Sequence, residues 1–177
     1  MDLNLFKNLL ICFLIGCLIR IIPDLVAYPY PIGYDIINYY IPLADQLNFV
    51  FQNDPFQFYP YLLHIFKLFI PLHSQGLILI ISSLTYGLFS ISIYLLLKGL
   101  NLKLVWFMTI FILFQIPALR TTWDLQKDII ALSFMFLIFY LILENRKVNS
   151  YKLRIIHFGL INLLVILTIL TDNMISF

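Results

Sequence analysis

Charge is what this chain has least of: only 11% of its 177 residues are Asp, Glu, Lys or Arg, against 62% hydrophobic, and the mean hydropathy is +0.97. Soluble domains carry about 25% charged residues, so that class is excluded. Cysteine is scarce as well. Cys12 and Cys17 stand five residues apart, off a common helical face and with no His or acid at ligand spacing, and read as reduced packing residues. There is no Asn-x-Ser/Thr sequon, no Gly-rich phosphate loop, no Ser-His-Asp order and no zinc spacing, so the motifs of soluble enzymes are missing. A formal charge of +2 gives no ground for a nucleic-acid partner.

What is present is a recurrence of apolar runs near the ~20 residues that cross a ~30 Å hydrocarbon core. The runs fall at 5–22, 77–97, 104–119, 125–143 and 155–170. The fold expected is therefore all-α, a polytopic membrane helix bundle of about five transmembrane helices, forming one transmembrane domain over 1–177. The first run starts close to Met1 and lacks an Ala-x-Ala-like site behind it, which fits a retained signal anchor rather than a removed leader.

Orientation follows from the cations. With the N-terminus cytoplasmic, Lys7 stays inside, Lys98 and Lys103 flank one inner loop, and Arg146, Lys147, Lys152 and Arg154 crowd the next. Arg20, Lys67, Arg120 and Lys127 are then outer cations. Seven of the nine carboxylates fall on that same outer side: Asp24, Asp35, Asp45, Asp54, Asp124, Asp128 and Asp172. Acid near a bilayer is costly, and the acidic side is where chemistry is expected.

The only long connector is the first outer loop, 23–75, and a loop of that length is usually functional. Its Tyr, Phe and Pro clusters, at 27–35 and 53–60, suit the aromatic belt of a membrane interface. Between them 35–51, and after them 61–70, are expected to form interfacial helices resting on the membrane surface. Further along, Thr121 and Asp124 stand at capping-box spacing before the fourth run. The purely apolar part of that run, 129–143, covers only about 22 Å. Its first turn, with Trp123, Asp124 and Lys127, must dip toward hydrocarbon or line a wet cavity.

The anchor ending in Arg20, Gly33-Tyr34-Asp35 near the start of a long outer loop, Tyr59-Pro60 followed by His64, and the run from Thr122 to Asp128 together resemble the N-terminal part of a GT-C glycosyltransferase. That family includes oligosaccharyltransferases and protein mannosyltransferases, polytopic enzymes that use lipid-phosphate-linked sugars. The resemblance implies transfer of a sugar from a polyprenyl-phosphate donor to an acceptor on the outer face. It also implies an essential acid near the start of the first outer loop, the position Asp35 occupies.

On this reading Asp35 is a general base for the acceptor hydroxyl; otherwise it is the N-cap of the interfacial helix, with Gly33 supplying a turn. Asp124 and Asp128 lie four apart on one helical face, where Lys127 or a divalent metal would have to relieve their repulsion. The alternative is a helix cap at Asp124 paired with Lys127. Arg120 and Lys127 suit the lipid phosphate or, equally, snorkelling to headgroups. Trp123 anchors the interface or stacks on a sugar, and His64 and His73 ligate, donate or make ordinary polar contacts. Membrane lipids and a polyprenyl-phosphate-linked sugar are the partners implied. The competing function is a non-catalytic membrane subunit or a fragment of a transporter. Five runs leave a lipid groove partly unwalled, so the chain alone is expected to be a poor catalyst until further polypeptide or a partner subunit docks around Gly159 and Asn162.

Overall fold

A computed structural model describes residues 3–28, 30, 32–33, 36–45, 58–70, 72–115, 118, 120, 126–148 and 150–171. Among these residues every regular element is helical: α1 (Leu3–Ala27), a π-helical turn (Ile36–Tyr40), α2 (Ile41–Asp45), α3 (Phe58–Phe69), α4 (Ser74–Gly99), α5 (Val105–Leu113), α6 (Gln126–Lys147) and α7 (Tyr151–Thr171). Four of them, α1, α4, α6 and α7, are long and apolar enough to cross a membrane, which is consistent with a multi-pass membrane protein.

The centre of the bundle is α4, which spans about 39 Å. Two thirds (67%) of its most apolar window is buried, against none of that of α7. It begins after His73, whose Nδ1 accepts from the Gln75 amide at 3.5 Å, and Ser74 Oγ donates to Asp45 at the end of α2. Most of its hydroxyls are accommodated inside an apolar bundle by donating to a backbone carbonyl. Ser82, Thr85 and Ser92 turn back to the carbonyls of Leu79, Ser82 and Phe89, three residues earlier.

Two of the α4 serines reach across to α1. Ser90 Oγ donates to the Cys12 carbonyl at 2.8 Å and Ser83 Oγ to that of Cys17 at 3.1 Å, while Asn8 Nδ2 donates to Tyr94 Oη at 3.0 Å. The order of these contacts makes α1 and α4 antiparallel. Close approach depends on two glycines. A Cβ on Gly16 would meet Ser90 Cβ and the Tyr86 carbonyl at 2.8 Å, and one on Gly87 would meet Cys17 Sγ and the Phe13 ring at 2.7 Å. Lipid gives helices no hydrophobic reason to associate, so small residues and interhelical hydrogen bonds, worth about 0.6 kcal/mol each, hold such a pair. Cys12 and Cys17, both free thiols, are packing residues of this contact.

On its other side α4 packs against α6, and the two run parallel. At one end Lys147 Nζ donates to the Gly99 carbonyl at 3.3 Å, with Tyr140 and Leu143 beside Gly99. Toward the other, Ile130 and Phe134 join Ile78 and Ile81 in a cluster that also takes in Tyr40, Leu43, Tyr59 and Leu63 from the loop elements. Parallel neighbours require residues 100–125 to return the length of the bundle. The helical start of that return is α5, turned by Asn101 in the left-handed region (φ 58°). The Trp106 ring packs tilted against Tyr94, with centroids 5.2 Å apart and planes at 52°, and Tyr86 Oη donates to the Leu113 carbonyl at 2.6 Å. An apolar run extends over 104–119, whereas the described helix stops at Leu113, four residues before Pro117. Proline disfavours helix in the residue before it and clashes with the turn it would continue.

Of the stretches 35–51 and 61–70, helix is described over Ile36–Tyr40, Ile41–Asp45 and, in α3, Phe58–Phe69; the rest of 35–51 lies outside the described residues. On α3, Tyr59 and Leu63 point inward, Lys67 Nζ donates to the Ala44 carbonyl at 2.7 Å, and Ile65, Leu68 and Phe69 face outward. The last long helix, α7, returns along α6 after a short connection in which Arg154 Nε donates to the Val148 carbonyl at 2.9 Å.

Candidate functional site

Polar side chains converge at the end of the bundle where α1 finishes, α4 and α6 begin, and the loop elements pack. The first is a pair within α1. Asp24, counted from sequence among the loop acids, lies inside the helix because α1 continues through Pro23 to Ala27. One turn earlier stands Arg20, wholly buried, whose Nη1 donates to Asp24 Oδ2. Four residues apart on one face, they neutralise each other where neither ion could stand alone.

The second pair joins the loop to α6. Tyr59 Oη donates to Gln126 Oε1, both groups being buried, and the Tyr59 ring meets Tyr40 edge-on at 5.2 Å. Tyr40 in turn accepts from the Lys127 amide at 3.5 Å. Gln126 Nε2 is buried without a hydrogen-bond partner.

Two cavities flank these pairs. A small one, about 20 Å³, is lined by Asp24, Tyr30, Ile36, Gln75, Ile78 and Leu79. The larger, about 170 Å³ and almost wholly apolar, lies between α3, α4 and α6, with Phe58, Leu62, Phe66, Leu84, Leu88 and Phe134 among its walls. It offers hydrocarbon-like surface and no group for acid–base work.

Of the residues singled out from sequence, Lys127 is half-buried in the first turn of α6, His64 half-buried on α3, and Arg120 exposed. All three make interactions within the protein. Asp35, Trp123 and Asp124 lie outside the described residues, as do Asp54 and Asp172. Their chain neighbours do meet: Tyr40 lies five residues after Asp35 and Lys127 three after Asp124, and the hydrogen bond above links them. No cluster of three or more His, Cys, Asp or Glu able to hold a metal occurs among the described residues.

Arg20–Asp24 as a pair, Tyr40 and Gln126 were not singled out from sequence. For the first a signal existed, opposite charges at helical spacing beside an apolar run. For Tyr40 and Gln126 none did, because their partners are distant in the chain. No family model, curated protein or solved structure matches the chain.

Proposed function

We propose that this chain belongs to a membrane glycosyltransferase of the GT-C type, which transfers a sugar from a polyprenyl-phosphate donor to an acceptor at the outer membrane face. The observation that carries the reading is the Tyr40–Lys127 hydrogen bond. It draws the segment that follows Asp35 to the helix that follows Asp124, which a site built from those two acids requires. Asp35 is then the base for the acceptor hydroxyl, with Asp124 beside it. Lys127 and Arg120 supply positive charge for the departing phosphate, His64 and Trp123 flank the sugar, and the apolar cavity between α3, α4 and α6 takes the first part of the polyprenyl chain.

In this reading the chain crosses the membrane five times, because 100–125 must return between parallel α4 and α6. The N-terminus is cytoplasmic, and α3 lies at the outer interface with Ile65, Leu68 and Phe69 toward lipid. The test is sugar transfer from a labelled polyprenyl-phosphate sugar by membranes of the source cell, where the chain has its further polypeptide or partner subunit, carrying wild type or Asp35→Asn. Transfer by wild type and its loss in an equally abundant Asp35→Asn protein is the expected result. Transfer unaffected by the substitution removes the base. No transfer from any lipid-phosphate sugar leaves a non-catalytic membrane subunit.

A further inference from the structure

The helix α7 lies along one side of the bundle and buries nothing of its most apolar window. Its side toward the bundle carries His157, Ile161, Leu164, Thr168 and Thr171, all buried or half-buried, at the three- and four-residue spacing of one helical face. Between Ile155 and Leu170 only His157, Gly159, Asn162 and Thr168 are not bulky and apolar. His157 and Thr168 belong to the inward side. Gly159 and Asn162 do not: with Ile155, Ile166 and Ile169 they form a second stripe, spaced four, three, four and three, on the opposite side of the helix. The three isoleucines of that stripe are 47–54% exposed, and a Cβ at Gly159 would meet nothing within 4 Å.

Asn162 is the twelfth of the 21 residues of α7, one residue and so about 1.5 Å from the helix midpoint. A spanning helix therefore holds this amide near the middle of the hydrocarbon, where no water takes up its hydrogen bonds. Nδ2 donates to the Phe158 carbonyl at 2.9 Å, which uses one of its two hydrogens. Oδ1 accepts nothing among the described residues. What remains is one donor and one acceptor on the same exposed side chain. A purely apolar neighbour leaves both unsatisfied. A second Asn162 satisfies both, since each amide gives its remaining hydrogen to the Oδ1 of the other.

We propose that two copies of this chain pair through α7, with Ile155, Gly159, Asn162 and Ile166 of one copy set against the same residues of the other. Copies inserted by the same distribution of Lys and Arg share one orientation, so their α7 helices run parallel, and a two-fold axis along the membrane normal sets each residue opposite itself. That arrangement brings the two amides to one depth. A stripe repeating every 3.5 residues is the seam along which parallel helices wind about each other, and a single Asn within it fixes their register. Gly159, one turn away, leaves room for the second helix to approach. The pairing stands apart from the glycosyltransferase reading, because it needs no substrate.

The experiment counts copies of the full chain, labelled with one fluorophore at Ser150→Cys, in phosphatidylcholine liposomes over a range of protein-to-lipid ratios. Bilayers are used because excess detergent isolates one protomer in each micelle. Two photobleaching steps per particle are expected at high ratios, giving way to one on dilution. Asn162→Leu, a side chain that lipid accepts, should weaken the dimer about tenfold, the worth of two interhelical hydrogen bonds, and Asn162→Gln should restore most of it. Oxidation should cross-link copies carrying Ile166→Cys but not copies carrying Leu164→Cys, on the inward side. Single steps at every ratio, an Asn162→Leu dimer as tight as wild type, or cross-linking through Leu164→Cys would each overturn the proposal. So would Ile166→Cys linking to another polypeptide, and not to itself, in membranes of the source cell. Copies are counted without any transfer, so paired protein that transfers no sugar keeps this interface and loses only the enzyme reading, and an active enzyme found as single copies does the reverse.

Discussion

The Lys147 ammonium lies 3.3 Å from the Gly99 carbonyl, so the ends of α6 and α4 meet at the same face of the bundle. Cysteines introduced at Leu100 and Ser150 should therefore react with a membrane-impermeant maleimide from one side, and cysteines at Tyr30 and Leu72 from the other. The native Cys12 is buried and Cys17 half-buried, which keeps the background low. Labelling of the Leu100 and Ser150 positions from opposite sides would break the parallel arrangement of α4 and α6.

The α1–α4 contact is predicted to tolerate no side chain at its two glycines. Gly16→Leu and Gly87→Leu should each destabilise the protein by about 1–3 kcal/mol, the ordinary cost of overpacking. Gly159→Leu should be neutral, since nothing lies within 4 Å of a Cβ there. Thermal unfolding of the three variants in one detergent checks the contrast, and equal midpoints would mean that α1 and α4 stand further apart.

Removing half of the Arg20–Asp24 pair should be worse than removing all of it. Asp24→Leu leaves a buried guanidinium uncompensated, at a cost of about 3–5 kcal/mol, whereas Arg20→Leu/Asp24→Leu should recover most of that loss. The measurement is yield of folded, monodisperse protein together with its unfolding midpoint. A double variant no better than the single would show that Arg20 is held chiefly by other neighbours.

A similar cycle applies to Tyr59 and Gln126. Tyr59→Phe strands Gln126 Oε1 beside an Nε2 that already lacks a partner, and should cost about 1–3 kcal/mol. Combining it with Gln126→Leu should return part of the loss. Strict additivity of the two substitutions would mean that the pair is not coupled.

The long helices were legible in the sequence because hydropathy records which residues tolerate hydrocarbon: 5–22, 77–97 and 155–170 fall within described helices, and 125–143 does from Gln126 onward. Hydropathy says nothing about neighbours. It rates α4 and α7 alike as apolar, yet one is the buried centre and the other is almost wholly exposed. What separates them is that Ser83 and Ser90 of α4 reach carbonyls of α1, whereas the Thr168 and Thr171 hydroxyls of α7 bond within their own helix. Asp24 was misplaced to the loop because Pro23 reads as a stop, although a helix of this length carries it. The pairing of Tyr59 with Gln126 spans 67 residues and leaves no local trace.

That Arg20 finds its counter-ion on its own helix has a consequence for biogenesis. A guanidinium whose partner sat on α4 or α6 would have to wait, charged, at the translocon until that helix had been synthesised. Arg20 and Asp24 share one face of α1, so the first helix leaves the ribosome with its charge already cancelled and can partition into lipid before any other segment exists. Separating the two by a one-residue insertion in α1 should delay membrane integration of the nascent chain even where the finished bundle could still accommodate both ions.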